Sequence, residues 1–197
     1  MPAGHRSQVF GAAIATAVAV AVAGCGAGGG AGRATPVAFK RAARADAVPA
    51  GWGRLRLPSG AVLPYPAGWR RIDGDRGSAS AALLNADGTI RYYLNVTPAD
   101  RDETLSGWTR FRLRHNAAEG DRNVRLITTE TGAVLGHRRR ACVIDDYATT
   151  RSRYRELACV VVPADGGRAT VLVAAGQPKA WAHEQPAFDL AFNHFAG

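Results

Sequence analysis

The 197-residue chain is poor in the residues from which short motifs build reactive centres. It holds three cysteines, one methionine and two lysines. So few thiols, without paired spacing, exclude a zinc ribbon and a dense disulfide scaffold. No G-x-S-x-G, S-x-x-K or H-E-x-x-H occurs, so the common nucleophile and zinc-protease signatures are missing. His115, His137, His183 and His194 have no metal-ligand spacing among themselves or with the cysteines, and no metal or other cofactor is expected. No glycine-rich loop stands between a strand and a helix; Gly28–Gly30 falls in a low-complexity stretch. No internal repeat is visible. The apolar run Val9 to Ala23 is fifteen residues, short of the roughly 20 that span a bilayer.

What is present is an ordinary globular composition, 47% hydrophobic and 21% charged, which excludes a disordered chain. Basic residues outnumber acidic ones 25 to 16, and 23 of the 25 are arginine. The arginine and alanine bias suggests a GC-rich genome before it suggests nucleic acid. Residues 51–197 carry 20 basic and 15 acidic side chains, a net +5 spread along the chain, with one basic block at His137–Arg140. No interleaving of aromatic and basic residues accompanies it, so a nucleic-acid partner is not expected.

The N-terminus reads as an address. His5 and Arg6 precede the apolar run, and small residues close it, the pattern of a secretory signal peptide. Val22-Ala23-Gly24-Cys25 resembles the lipobox of bacterial lipoproteins. That resemblance implies a signal peptide over 1–24, diacylglycerol on the Cys25 sulfur, cleavage after Gly24, and anchorage on the outer face of the cytoplasmic membrane. Residues 25–50 then form a Gly/Ala-rich tether reaching roughly 25–30 Å as a coil. The membrane, held through lipid, is thus one expected partner.

Residues 51–197 read as a single α+β domain. Trp52–Leu57 and Gly60–Tyr65 look like two opening strands, and Trp69 a core plug. Ser78–Leu84 and Thr89–Thr97 flank Asp87-Gly88, a hairpin turn whose glycine tolerates positive φ. Along the second strand Ile90, Tyr92, Leu94 and Val96 alternate with Arg91, Tyr93, Asn95 and Thr97, which predicts one dry and one wet face. Thr104–Ala118 fits a helix with Trp108, Phe111, His115 and Ala118 on one side, stopped at Gly120. Strands follow over Asn123–Leu135, Arg138–Ala148 and Ser152–Val162, and the apolar Arg168–Ala175 belongs centrally. A last helix starting at Pro186 presents Phe188, Ala191, Phe192 and Phe195 to the sheet.

Cys142 and Cys159 are the thiols left after lipidation, in an exported domain where disulfides persist. Pairing them across a hairpin makes partner numbers sum to 301 and centres the turn on the polar run Thr149–Ser152, so thiols and turn agree. That register opposes Asp146 to Arg155, Asp145 to Glu156, and Tyr147 to Tyr154. Two opposed carboxylates are unfavourable without a positive charge between them. Either an arginine from elsewhere makes Asp145, Tyr147, Tyr154 and Glu156 an ion-pair network, or the patch receives a cationic group or metal ion of a partner. Asp145-Asp146 as an acid–base pair is a weak signal without a nucleophile motif, a hydrolase using Asp145 and Glu156 with a histidine is the catalytic alternative, and no enzyme activity is expected.

Pro66-Ala67-Gly68-Trp69, Tyr93–Pro98 leading into Glu103–Trp108, and the phenylalanine-rich last helix together resemble small actinobacterial lipoproteins with a PsbP-like domain. That fold is shared by photosystem II extrinsic proteins and a Ran-binding import factor. The resemblance spans most of residues 52–196 as an order of elements with aromatic landmarks. It implies an antiparallel sheet of about six to eight strands flanked by helices, in a domain that binds proteins without catalysis. The function so implied is a protein-binding or scaffold module of the envelope; the alternative is a carrier or sensor of an apolar or glycan ligand.

Overall fold

The computed structural model describes Phe39, residues 47–135 and residues 137–197. The expected signal peptide, Cys25 and most of the expected tether lie outside the described residues. The described residues fall in one compact unit, Val37–Gly197.

Strands β1 (Gly53–Arg56) and β2 (Val62–Tyr65) pair antiparallel as a separate two-stranded sheet. Gly60 turns the chain between them at φ 92°, a conformation that favours glycine. The main sheet has seven antiparallel strands: β3 (Arg70–Ile72), β4 (Ala79–Leu84), β5 (Ile90–Pro98), β6 (Arg122–Leu135), β7 (Arg138–Ala148), β8 (Arg153–Val162) and β9 (Thr170–Gly176). Their spatial order is β3-β4-β5-β9-β8-β7-β6. The apolar β9 lies at the centre with all seven residues buried, as a strand covered on both faces requires. Helices α1 (Trp108–Ala118) and α2 (Trp181–Asn193) complete the α+β fold.

The two-residue period of the strands sorts side chains onto two faces. On one, Tyr92, Leu94, Cys142, Ile144, Leu157, Cys159 and Leu172 meet the β1–β2 hairpin and the α2 residues Phe188, Ala191 and Phe192. Trp69 stacks on Tyr92 with ring centres 6.1 Å apart and meets the edge of Phe188, so it plugs this core. Phe39, from the segment read as tether, also packs here. On the other face Ala141, Val143, Ala158, Val160, Val171 and Val173 lie under Trp108 of α1. The Trp108 indole donates from Nε1 to the Ala158 carbonyl at 2.9 Å, which ties the helix to β8.

The structure departs from the sequence reading at four places. β3 is a three-residue strand, too short for its pattern to show. Residues 104–107 form a turn in which Thr104 Oγ1 accepts from the Gly107 amide at 3.1 Å, so α1 begins at Trp108. Helix α2 begins at Trp181, not at Pro186, which lies inside it. Burial of Trp181 against Phe188 and its indole bond to Gln185 at 2.9 Å fix the earlier turn and outweigh the amide that proline lacks. Lastly, the wet face of β5 is covered: Asn95 is buried and donates to Ser80 Oγ, which pairs with the Tyr93 hydroxyl. Amphipathic alternation marks the polarity of a face; packing decides whether it meets water.

Candidate functional site

The β7–β8 hairpin has the register in which partner numbers sum to 301. Cys142 and Cys159 stand opposite, with Cα atoms 4.1 Å apart, and form a buried disulfide. Thr149 and Ser152 close the turn through the Thr149 amide and the Ser152 carbonyl at 2.9 Å. Asp146 faces Arg155, whose Nε and Nη2 donate to it at 2.7 and 2.9 Å, and Arg125 of β6 adds a third donor at 2.9 Å. Burial raises the Asp146 carboxyl, but Arg155 and then Arg125 outweigh it and hold the group below its ordinary range.

Asp145 and Glu156, directly opposed, lie on the α1 face and are 0% and 1% exposed. The helix brings the compensating charge. Arg112 Nε and Nη2 donate to both oxygens of Glu156, at 2.5 and 2.7 Å. One turn on, Asn116 Nδ2 donates to Asp145 Oδ2 at 3.3 Å, while Asp145 Oδ1 has no hydrogen-bond partner among the described residues. Burial first, and the nearby Glu156 second, push the Asp145 carboxyl up to about 8. One guanidinium thus serves one carboxylate, and burial beside Glu156 favours the neutral form of Asp145. Asp121, just past α1, is pushed up to about 6, again chiefly by burial and then by Glu156.

Tyr147 and Tyr154 face each other with ring centres 5.9 Å apart. Tyr154 donates its hydroxyl to the Ile90 carbonyl at 2.9 Å. Burial and the neighbouring Glu156 raise the Tyr147 phenol well above its usual value, so it stays neutral. An open recess of about 550 Å³ at the β7–β8 turn is lined by residues that include Arg125, Asp146, Arg153, Gln177 and Lys179. Neither Asp145 nor Glu156 lines it. The four side chains that the sequence grouped thus share the α1 side of the sheet, the two acids sealed and the two rings partly buried beside them.

His115 is the histidine on α1. It stacks on Phe111 at 5.7 Å and makes no hydrogen bond to either carboxylate. Burial, then the Arg112 charge, lowers its imidazolium pKa. Among the described residues no three His, Cys, Asp or Glu side chains are grouped to hold a metal. Sequence reasoning identified the need for an arginine but not Arg112 or Asn116. The signal was there: the two stand four residues apart and share the sheet-facing side of α1 with Trp108, a polar i, i+4 pair hidden beside an aromatic stripe.

Through Arg112 and Asn116 the buried carboxylates tie α1 to the sheet. Sheet order, two helices and hairpin together define a PsbP-like α+β domain. The solution structure of cyanobacterial PsbP (CyanoP) from Synechocystis matches 76% of this chain and 94% of its own length at 18% identity, with a TM-score of 0.52. The Ran-binding protein Mog1p of Saccharomyces cerevisiae matches 72% of this chain and 88% of its own at 10% identity and a TM-score of 0.45. LpqN of Mycobacterium tuberculosis, a protein involved in cell envelope biogenesis, matches 69% and 82% at 13% identity and a TM-score of 0.39. No family model and no curated protein sequence matches the chain. At these identities the CyanoP likeness establishes the fold alone.

Proposed function

We propose that this chain is a non-enzymatic envelope lipoprotein, anchored through lipid on Cys25 to the outer face of the cytoplasmic membrane. In this reading residues 25–50 are the tether, and residues 51–197 are a binding or scaffold module for another envelope protein. The lipobox-like Val22–Cys25 supports the anchor. Among the described residues no helix is long and apolar enough to cross a membrane, so the tether rather than a span would hold that body. The burial of Asp145 and Glu156 supports the absence of catalysis, because an acid or base needs reach to a substrate.

The observation that carries the protein-binding reading is the free edge of β6. Among the described residues this 14-residue strand ends the sheet, and no described strand neighbours its outward backbone groups. The exposed large hydrophobic side chains among the described residues are Leu126 and Val134, both on β6. Opposite Asp145 and Arg139 in the register, both point to the α1 side, on either side of Thr129, which α1 meets through Thr109. Three register shifts interrupt β6 and blunt indiscriminate strand pairing. A partner must therefore fit apolar side chains there as well as a short length of strand.

Two experiments test the reading. Cys25→Ser should abolish labelling by a palmitate analogue and release the chain from the membrane fraction; a chain that stays membrane-bound and unlabelled in both forms sinks the anchor. A photo-crosslinking residue at Val134 should capture one envelope protein in native membranes that the same residue at exposed Arg76 does not. Equal capture at both positions removes the docking edge.

A further inference from the structure

On the α2 side of the β7–β8 hairpin, two successive rungs of the sheet differ in one group. In the first, Asp146 stands between Arg155 of β8 and Arg125 of β6 and accepts hydrogen bonds from both at 2.7 to 2.9 Å. Two residues on, the same face of β7 carries Ala148, whose partner on β8 is Arg153. The β9 ladder ends with Gly176 opposite Arg155, one rung short of Arg153. Past that point the link Gln177–Lys179 forms the wall instead.

These residues line the open recess of about 550 Å³, with Asn123 on its β6 side. Asn123 has φ 57° and lies in the register shift between Arg122 and Arg125, so the bulge shapes that wall. The rings of Tyr147 and Tyr154 turn to the α1 side and leave this lining polar. Arg153 and Lys179 are exposed and have no acidic partner among the described residues. Arg125 engages Asp146 through Nη2 alone and is 68% exposed. The second rung thus has cations like those of the first without its carboxylate, and the Ala148 methyl leaves the space open.

Like charges lining one recess repel, and an anion between them relieves that repulsion. Two unpaired cations balance two negative charges, which a phosphate monoester carries near neutral pH together with three acceptor oxygens. Those oxygens match donors from Arg153, Lys179 and Arg125, and the Asn123 and Gln177 amides add further donors at the rim. We infer that the recess over Ala148 binds a phosphate monoester. A single carboxylate, as on an acidic side chain of a peptide, would leave one cation unbalanced. The inference goes beyond the protein-docking reading and stands without it. Val134 lies at the far end of β6 from Arg125, and no lipid on Cys25 is needed.

The test is an NMR titration of the full chain in phosphatidylcholine nanodiscs. Glycerol 3-phosphate should shift the amide signals of Ala148, Arg153 and Lys179, and acetate at equal concentration should not. R153A/K179A, which removes two exposed side chains without ionic partners, should weaken binding by about tenfold. A148D supplies the missing carboxylate from the chain itself, so it should abolish the binding and melt above A148N. Phosphatidic acid placed in the disc separates the sources. The same shifts without added ester assign the phosphate to a lipid headgroup, and shifts with the ester alone assign it to a soluble molecule; either upholds the site. Silence toward both phosphates, an equal response to acetate, wild-type affinity in R153A/K179A, or A148D melting no higher than A148N overturns it. None of these outcomes bears on crosslinking at Val134, so the two readings fail separately.

Discussion

Arg112 and Glu156, 44 residues apart in the chain, meet through two parallel charge-assisted hydrogen bonds of 2.5 and 2.7 Å between α1 and β8. Both are removed from water, with side chains 13% and 1% exposed. Burial works against the Arg112 charge, and attraction to Glu156 more than offsets it, so the guanidinium pKa is raised. A bidentate pair of this kind fixes direction as well as distance, and so sets how α1 lies on the sheet.

Removing one partner leaves the other charge buried alone. Arg112→Met should therefore destabilise the fold by about 3–5 kcal/mol. R112M/E156L should recover much of that loss, because neither charge then needs a counterpart. Urea unfolding monitored by tryptophan fluorescence measures both variants; a single variant as stable as the parent would show that the clamp contributes nothing.

The raised carboxyl of Asp145 has a definite consequence for pH. Its folded-state value of about 8 lies above the ordinary 3.8, so between those limits the folded protein holds a proton the unfolded chain has released. Stability from this group is full below about pH 4 and is lost as pH rises toward about 8. Asp121, raised to about 6, acts with the same sign over a narrower window. Asp145→Asn should flatten the decline, gaining on the parent at about pH 9 relative to about pH 5. Parallel unfolding curves for parent and variant at both pH values would refute this.

Cys142 and Cys159 are 17 residues apart in sequence, and closing a loop of that length restrains the unfolded chain by about 3 kcal/mol. C142A/C159A should lose about that amount, and a reductant should lower the parent's melting temperature but not the variant's. Identical melting with and without reductant would contradict the bond.

Gly176 ends β9 directly opposite Tyr92 on β5. A Cβ there would stand 2.7 Å from the Tyr92 ring and 3.7 Å from Phe188. The ring covers the glycine and fills the space a side chain would take. Gly176→Ala should cost about 1–3 kcal/mol by overpacking, seen as a lower melting temperature with an altered near-ultraviolet signal. An unchanged melt would mean that Tyr92 moves aside freely.

Much of this was legible in sequence because it depends on local rules. Hairpin register follows from turn chemistry and a strict two-residue period, so two cysteines and the polar run Thr149–Ser152 sufficed to align β7 with β8 residue by residue. An unbroken apolar run identified β9 as central, and helical i, i+3, i+4, i+7 spacing identified the phenylalanines of α2 as core. Less local features escaped. Nothing near Pro186 in sequence announces that Trp181 is buried well enough to start the helix five residues earlier.

The sequence by itself determined every strand of the main sheet but the short β3, the hairpin pairing, the disulfide and the unfavourable meeting of Asp145 with Glu156, because each follows from local pattern over a few residues. Only the tertiary structure decided that Arg112 and Asn116 answer those acids, that Asn95 on the polar side of β5 is buried, and that the Tyr154 hydroxyl reaches the Ile90 carbonyl. Those outcomes depend on which face of the sheet α1 covers and where it stops, and that is set by the joint packing of segments far apart along the chain.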